Sequence, residues 1–437
     1  MNAHPANLAG MTATEAPSDS ITRETAAPLV VVGAGLAGWT TVREFRKLDT
    51  VTPVIVVTAD SGDFYAKPSL SNALAQKRTP SQLVSMPAAR MVETLKVTLL
   101  AFCKAVRIDT ARRELSILSG GGDQTLAYGQ LVLATGAQPI RSAIAGNAAA
   151  QVLSVNSLDD FAAFYAKLAR PVPSAPGGDT ASSTPPLGGV RGTSKTVLVI
   201  GAGLIGCEFA NDLLQAGHHV HVVDPSPRPL AALLPQAASL QLQHALQALG
   251  THWHFGTTVH AVEARDSADA PPLRATLADG TLLTVDAVLS AIGLRADTAL
   301  ASAAGLWCDR GIVVDAYLQT SAEHVYALGD GAQYASAGQR TLPYVMPLMQ
   351  AAKALAATLA GNRTELVFAL MPVSIKTPAL PIVVSNVHPS TAGAWVAEAA
   401  EPQSVWRFMD SAELQRGFVL SGNSTTRRME LSKQTLL

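Results

Sequence analysis

The chain has 437 residues, which is too long for one hydrophobic core of ordinary size and predicts about three domains. Hydrophobic residues make up 48% of the chain and charged residues 15%, so there are enough apolar side chains to fill buried parallel sheets. Lys plus Arg number 32 and Asp plus Glu 33, and the net charge of −1 argues against a protein that binds nucleic acid.

The cysteines and the apolar runs narrow the class of protein further. Cys103, Cys207 and Cys308 are far apart in sequence, so we expect neither a metal framework nor disulfides. No apolar run reaches the ~18 residues that a membrane span needs, and no secretion signal is recognisable at the amino end. We therefore expect a cytoplasmic protein without a membrane span, with a disordered extension over residues 1–27.

The first predicted element is a strand at residues 29–32 that runs into a glycine turn, Gly-Ala-Gly-Leu-Ala-Gly. Gly33 allows the sharp turn, Gly35 leaves room for a pyrophosphate, and Gly38 lets the following helix pack closely on the strand. Strand, glycine turn and helix in this order form the fingerprint of a dinucleotide-binding unit.

A crossover helix is predicted over residues 39–49 and a second strand over residues 54–57. Asp60 stands 22 residues past the last glycine of the turn, where a carboxylate can accept hydrogen bonds from a ribose. The loop 61–74 should lie at the carboxyl edge of the sheet. Lys67 in this loop is either a solvated lysine or a cation beside a flavin ring, and its location favours the second interpretation.

Residues 96–118 alternate in short runs that predict a small antiparallel meander. An apolar strand follows at residues 131–134 and ends in a turn at Gly136. Residues 171–194 are dominated by Pro, Gly, Ser and Thr, with almost nothing to bury. This composition predicts a flexible insertion.

A second fingerprint follows the insertion. The strand at residues 197–200 leads into Gly201, Gly203 and Gly206, and the next strand ends in Asp224, 18 residues after the last of these glycines. One such match is weak, because glycines after a strand often only make a turn. Two complete matches in one chain favour dinucleotide binding.

Three residues of the second unit bear on its ligand. Glu208 could reach the cofactor or the flavin, or could merely sit well against the positive end of its helix. Asp224 would accept a hydrogen bond from a ribose 2′-hydroxyl and repel a 2′-phosphate, which favours NADH over NADPH, although Arg228 weakens this preference. Gly293 ends a strand that repeats the pattern of the strand before Gly136.

A short apolar strand at residues 325–328 delivers Asp330, where a carboxylate could bind a ribityl hydroxyl. The helix that begins near residue 345 could direct its positive end at a flavin carbonyl. From residue 366 the runs become short and β-rich, including residues 367–372. Lys376 is the residue singled out there, with a surface position and a flavin contact equally expected.

These elements predict an α/β fold with two Rossmann-like dinucleotide-binding domains, for FAD and NAD, and a small carboxy-terminal α+β domain. The FAD domain is predicted to be discontinuous, formed by residues 28–145 and 297–365. The NAD domain is predicted over residues 146–296, and the third domain over residues 366–437.

The chain resembles the FAD-dependent pyridine nucleotide reductases over residues 28 to about 430. The strings YAKPSLS, GAGLIGCEFANDL, VYALGD, YVMPLM and IKTPA are similar to those of the rubredoxin reductase family. Motifs and resemblance together give the FAD residues as Gly33, Ala34, Gly35, Leu36, Ala37, Gly38, Asp60, Lys67, Val106, Gly136, Asp330, Val345 and Lys376. They give the residues at NAD or the flavin edge as Gly201, Gly203, Leu204, Ile205, Gly206, Glu208, Asp224 and Gly293.

The resemblance implies an enzyme that passes electrons from NADH through FAD to rubredoxin. Related disulfide reductases place a cysteine beside the flavin, but residues 61–102 contain none, so no thiol relay is expected. Hydride transfer needs no side-chain acid or base, and we predict no catalytic residue and no metal. Two alternatives stay open: an NADH-ferredoxin reductase of an oxygenase system, and a flavoprotein with an NADH-responsive regulatory role.

Overall fold

The computed structural model describes residues 27–169, 194–265, 271–388, 390–398 and 404–436. All but the last residue of the predicted extension 1–27, and all but the last residue of the predicted insertion 171–194, lie outside these ranges. Among the residues that are described, no helix is both long and apolar enough to cross a membrane.

The amino-terminal part alternates strands and helices before it enters a run of strands. Its elements are β1 (Leu29–Val32), α1 (Leu36–Arg46), β2 (Val54–Val57), α2 (Ala88–Leu95), β3 (Thr98–Leu100), β4 (Lys104–Asp109), β5 (Glu114–Ser119), β6 (Gly122–Ala127), β7 (Gln130–Leu133) and β8 (Ala137–Pro139).

The middle part repeats this plan and then returns to the first unit. Its elements are β9 (Val152–Leu153), α3 (Leu158–Ala169), β10 (Thr196–Ile200), α4 (Leu204–Gln215), β11 (His219–Asp224), α5 (Gln236–Ala248), β12 (Thr251–Phe255), β13 (Val259–Ala264), β14 (Leu273–Leu277), β15 (Leu282–Val285), β16 (Ala287–Ser290), β17 (Leu294–Ala296), α6 (Ala299–Ala303), β18 (Ile312–Val314), β19 (Val325–Ala327), β20 (Ala332–Tyr334) and α7 (Val345–Leu359).

The carboxy-terminal part is one antiparallel sheet and a short helix. Its elements are β21 (Val373–Ile375), β22 (Ile382–Ser385), β23 (Gly393–Ala397), β24 (Val405–Asp410), β25 (Gln415–Ser421) and α8 (Arg428–Gln434). The predicted strand at residues 367–372 is wrong, because residues 362–372 contain neither helix nor strand. This segment connects two cores, with the backbone N–H of Leu366 donating to the carbonyl of Ala316 at 2.7 Å.

Two parallel five-stranded sheets carry the fold. The first has the order β19-β7-β1-β2-β3 and the second the order β12-β11-β10-β16-β9. The central strand β1 is buried at every residue, and β10 is buried at every residue except its first, Thr196, as expected of strands covered on both faces. The two-stranded antiparallel ribbon β8-β17 runs where the chain passes between the two units. The predicted fold class is therefore confirmed.

The meander predicted over residues 96–118 is only partly correct. The antiparallel sheet consists of β4, β5 and β6, and its third strand was not predicted. The first run of the prediction became β3, which pairs in parallel with β2. Leu99 and Leu100 pack there against the hydrophobic core of the first sheet. Burial of these two side chains therefore favours the pairing of β3 with β2 at the edge of that sheet.

Candidate cofactor site

The two glycine turns share a geometry that leaves space for a ligand in front of each helix. A Cβ atom added to Gly38 would lie 1.8 Å from the carbonyl oxygen of Gly33, and one added to Gly206 would lie 1.9 Å from that of Gly201. A Cβ added to Gly35 or Gly203 would meet no protein atom within 4 Å. The helices α1 and α4 therefore pack tightly on their strands while the middle of each turn stays open, which fits a pyrophosphate.

The residues between these glycines divide into packing and exposed positions. Ala34 and Ala37 are buried in the first core, and Leu36 packs partly against it. In the second turn Leu204 is half-buried and Ile205 is 41% exposed. Side chains at the open front of the second turn are therefore more accessible than those of the first.

The acidic residue predicted to bind a ribose in the second unit lies at the end of its strand, beside the glycine turn. Asp224 is the last residue of β11, and its Oδ2 accepts the backbone N–H of Ala202 at 2.6 Å, inside the glycine turn. Its Oδ1 accepts the N–H of Ser226 at 2.7 Å. The carboxylate thus supports the turn directly and is held at its mouth.

Asp60 does not occupy the equivalent position in the first unit. The N–H of Gly33 donates to Val57, as that of Gly201 donates to Val223, so Thr58 corresponds to Asp224. Asp60 lies two residues further on, where its Oδ1 accepts the Thr58 hydroxyl at 2.7 Å. Sequence reasoning missed Thr58. Counting from the end of the strand, instead of searching for the nearest acid, would have found it.

Lys67 and Asp330 come together at the carboxyl edge of the first sheet. Burial lowers the pKa of Lys67, and the nearby charge of Asp330 opposes this shift. Burial likewise raises the pKa of Asp330, and Lys67 opposes that. The ammonium of Lys67 also donates to Asn156 Oδ1 at 3.2 Å, and the amide of Asn156 donates to the carbonyl of Ala137 at 2.8 Å. Asn156 belongs to this cluster although its sequence context gave no signal.

The turn that carries Asp330 packs against both the first fingerprint and Gly136. A Cβ on Gly329, which has φ +81°, would lie 2.9 Å from Cβ of Ala37, and one on Gly331 would lie 3.0 Å from the carbonyl oxygen of Gly136. This close approach needs glycine on both sides of Asp330. The structure therefore brings together the first glycine turn, Gly136 and Asp330.

Three further predicted residues lie on other elements, and one of them is in a different sheet. Val345 is the first residue of α7, which packs on α1, and it is 38% exposed. Gly293, with φ +111°, accepts the N–H of Ile140 at 3.0 Å beside the β8-β17 ribbon. Val106 lies apart in the β4-β5-β6 sheet, 43% exposed at the bulge between Ala105 and Arg107. The cofactor contact of Val106 stays a prediction.

Glu208 and Lys376 form a buried ion pair between the second unit and the carboxy-terminal part. Lys376 Nζ lies 2.6 Å from Glu208 Oε2, and the Glu208 side chain is fully buried. The same Oε2 accepts the Ser71 hydroxyl at 2.6 Å, and Glu208 Oε1 accepts the backbone N–H of Lys376 at 2.9 Å. Ser71 belongs to the short 3₁₀ helix Lys67–Asn72. The carboxylate therefore joins three parts of the chain, and neither of the two roles predicted for it includes this one.

A second buried carboxylate on α4 holds the chain just after that 3₁₀ helix. Asp212 accepts the N–H groups of Leu74 at 3.0 Å and Ala75 at 2.8 Å. Burial raises the pKa of Asp212 to about 6, against the effect of these two hydrogen bonds. Sequence reasoning missed this residue. Glu208, Asn211 and Asp212 have the spacing of one helix face, which was an available signal within an otherwise apolar helix.

The three cysteines are free thiols. Cys207 is fully buried, and burial raises the pKa of its thiol. Cys103 is buried after β3, and Cys308 is half-buried. Across the described ranges, no group of three or more His, Cys, Asp or Glu side chains is arranged to hold a metal ion.

Two models of known protein families together match most of this chain. Residues 27–356 match the model of the family described as pyridine nucleotide-disulphide oxidoreductase, and residues 365–435 match that of the rubredoxin binding C-terminal domain. The rubredoxin-NAD(+) reductase of Alcanivorax borkumensis is 41% identical over 93% of this chain and 98% of its own length. That of Acinetobacter baylyi is 40% identical over 93% and 97%.

A solved structure shows the same fold at lower identity. The ferredoxin reductase for the CYP199A2 system from Rhodopseudomonas palustris superposes with a TM-score of 0.78, at 23% identity, over 94% of this chain and 96% of that one.

Proposed function

Because the chain belongs to the pyridine nucleotide-disulphide oxidoreductase family, we propose that it is an NADH-dependent FAD reductase that delivers electrons to rubredoxin. The observation that carries the choice of acceptor is the match of residues 365–435 to a rubredoxin-binding domain. Two relatives that align over almost their whole length, at 41% and 40% identity, are rubredoxin-NAD(+) reductases, which supports the same choice. A nitric oxide reductase FlRd-NAD(+) reductase from Aeromonas salmonicida aligns over 96% of its length at the lower identity of 35%.

The first unit would hold FAD. Its open turn at Gly35 fits the pyrophosphate, Asp330 would bind a ribityl hydroxyl, and Lys67 supplies a half-buried cation near that carboxylate. Bound FAD would supply hydride acceptance from NADH and release of single electrons to an iron carrier. The chain itself would position the cofactor, and Lys67 would hold a positive charge near the ring that becomes negative on reduction.

The second unit would hold NADH. The turn at Gly203 is open for the pyrophosphate, and the N-terminus of α4 faces it. Asp224 stands at the end of β11, where its carboxylate can accept a ribose hydroxyl and would repel a 2′-phosphate. Glu208 and Asp212 on α4 tie this unit to the segment that carries Lys67, so the donor and the acceptor are held in a fixed relation.

Electrons would leave without a thiol relay. Residues 61–102 contain no cysteine, and the Cys207 thiol is buried in the second unit with its pKa raised. We propose the cytoplasm as the location of the reaction, since the three free cysteines would stay reduced there.

Steady-state turnover with defined carriers tests the acceptor. The FAD-loaded protein is mixed with NADH and either purified rubredoxin or a [2Fe–2S] ferredoxin, and reduction of each carrier is followed by its absorbance. We expect fast rubredoxin reduction and slow ferredoxin reduction. Gly203→Ala serves as the control, because it should abolish NADH-dependent turnover with either carrier. Fast ferredoxin reduction without rubredoxin reduction would overturn the assignment.

A further inference from the structure

A cluster of histidines lies on the edge of the second sheet, outside the cofactor site. Two His-x-His pairs occur on neighbouring strands, His219 and His221 in β11 and His252 and His254 in β12. His221 pairs with His252 in the parallel register, and β12 is the last strand of the sheet. Since alternate residues of a strand point to the same face, all four imidazoles lie on one face.

The opposite face of these strands is occupied by core side chains. Val220 and Val222 are buried there, and Trp253 packs in the cluster that includes Leu242 and Leu246 of α5. The histidines therefore cannot exchange faces with the core residues. They are confined to the side of the sheet that carries Val223.

The imidazoles are in direct contact with one another. His221 Nδ1 lies 3.0 Å from His254 Nε2. The ring of His221 also stacks on that of His252 at a centroid distance of 4.9 Å and on that of His254 at 5.3 Å. His221 and His254 are half-buried, whereas His219 and His252 are exposed. Two ring nitrogens thus face each other at a site that solvent reaches.

Burial and the neighbouring imidazoles keep both rings neutral at pH 7. Burial, followed by His254, His252 and His219, lowers the pKa of His221 to about 4. Burial and His252 lower the pKa of His254, and only Asp279, in the turn between β14 and β15, opposes this. Neutral imidazole is the form that binds metal ions.

We propose that His221 and His254 form a binding site for a divalent transition metal, Ni²⁺ or Cu²⁺, on the edge of the second sheet. Two metal–nitrogen bonds of ~2.1 Å set at about 90° place the nitrogens ~3.0 Å apart, as they are here, whereas a tetrahedral angle would need a larger separation. Square or tetragonal geometry is the preference of Ni²⁺ and Cu²⁺.

Binding requires both rings to turn, because in the hydrogen bond the N–H and the lone pair point at each other and not at a common metal position. In the metal-free state one ring donates its N–H to the lone pair of the other. For both nitrogens to bind the metal, the donor ring moves this proton to its other nitrogen, so no proton is lost from the pair. Water completes the coordination on the solvent side. The ring of His252, stacked on His221, limits how far that ring can move.

Ni²⁺ titration of the full-length, FAD-loaded protein without a polyhistidine tag tests this site, with calorimetry as the readout. We expect one saturable site per chain, weakened on the order of tenfold or more by His221→Gln and by His254→Gln. His244→Gln is the matched control, because His244 lies on α5, against the opposite face of the sheet.

Two results would overturn the proposal. One is Ni²⁺ affinity that is unchanged in both His221→Gln and His254→Gln, and the other is equal weakening by His244→Gln. Thermal unfolding of the metal-free variants confirms that they are folded, and a Ni²⁺-induced rise in melting temperature should occur in the wild type and the control only.

Discussion

The buried pair Glu208–Lys376 should respond unequally to loss of each partner. Lys376→Met would leave the Glu208 carboxylate without its counter-ion, at a position where that side chain is 0% exposed. Among the described residues, only the Ser71 hydroxyl and one backbone N–H would still donate to it. Glu208→Gln would instead leave the Lys376 ammonium, whose side chain is 30% exposed and can be hydrated.

The expected magnitudes follow from this difference in burial. An uncompensated buried charge costs about 3–5 kcal/mol, so Lys376→Met should lower the free energy of unfolding by that amount. Glu208→Gln removes the ionic contact but buries no charge, and should cost about 1–3 kcal/mol. The double variant should lower the free energy of unfolding by less than the sum of the two single variants. In the double variant no Glu208 carboxylate remains to be left without its counter-ion.

Urea unfolding followed by tryptophan fluorescence measures these changes. Arg274→Met is the matched control, because the Arg274–Glu263 pair has a similar distance of 2.7 Å but side chains that are 48% and 40% exposed. Its loss should cost less than about 1 kcal/mol. Equal costs for Lys376→Met and Arg274→Met, or additive costs in the double variant, would refute the reasoning.

Four other predictions follow from the site. Gly203→Ala should fold normally and lose NADH affinity, because the added Cβ would touch no protein atom and would occupy the space predicted for the ligand. Gly206→Ala should instead lower the melting temperature, because its Cβ would lie 1.9 Å from a carbonyl oxygen. Asp330→Ala should lose bound FAD, seen as a lower ratio of flavin to protein absorbance; a fully yellow variant would contradict this. Asp224→Ser combined with an added Arg should shift the ratio of kcat/KM values toward NADPH, and an unchanged ratio would remove its role in discrimination. The pKa of Asp212 is about 6 when folded, above that of an unfolded aspartate, so its contribution to stability is greatest below about pH 4 and is lost as pH rises to about 6. Across that window the wild type should lose up to about 3 kcal/mol relative to Asp212→Asn in urea unfolding, and parallel curves would contradict it.

Features that depend on a local backbone requirement could be predicted from the sequence. The two glycine turns are of this kind, because Gly38 and Gly206 are needed wherever a helix packs this closely on its strand. Asp224 was found for the same reason, since it ends its strand directly. Asp60 shows the limit of counting: the first unit has Thr58 at the strand end, and the nearest acid lies two residues later.

Features that depend on tertiary contacts were not predicted. Ser71 and Asp212 belong to segments distant in sequence, and only the docking of α4 against residues 71–75 gives their side chains a partner. The assignment of residues 98–100 to a parallel sheet was missed for a related reason. A short apolar run fits either kind of sheet, and the available partner strand decides.

The central claim is that two dinucleotide sites pass electrons from NADH to rubredoxin without a thiol between them. Anaerobic stopped-flow absorbance tests it most directly, on the wild type and on a variant in which Cys103, Cys207 and Cys308 are all replaced by Ala. We expect NADH to bleach the yellow flavin band and oxidised rubredoxin to restore it, at similar rates in both proteins. A protein that binds no flavin, or a flavin-loaded variant that takes up electrons but no longer passes them to rubredoxin, would contradict the account.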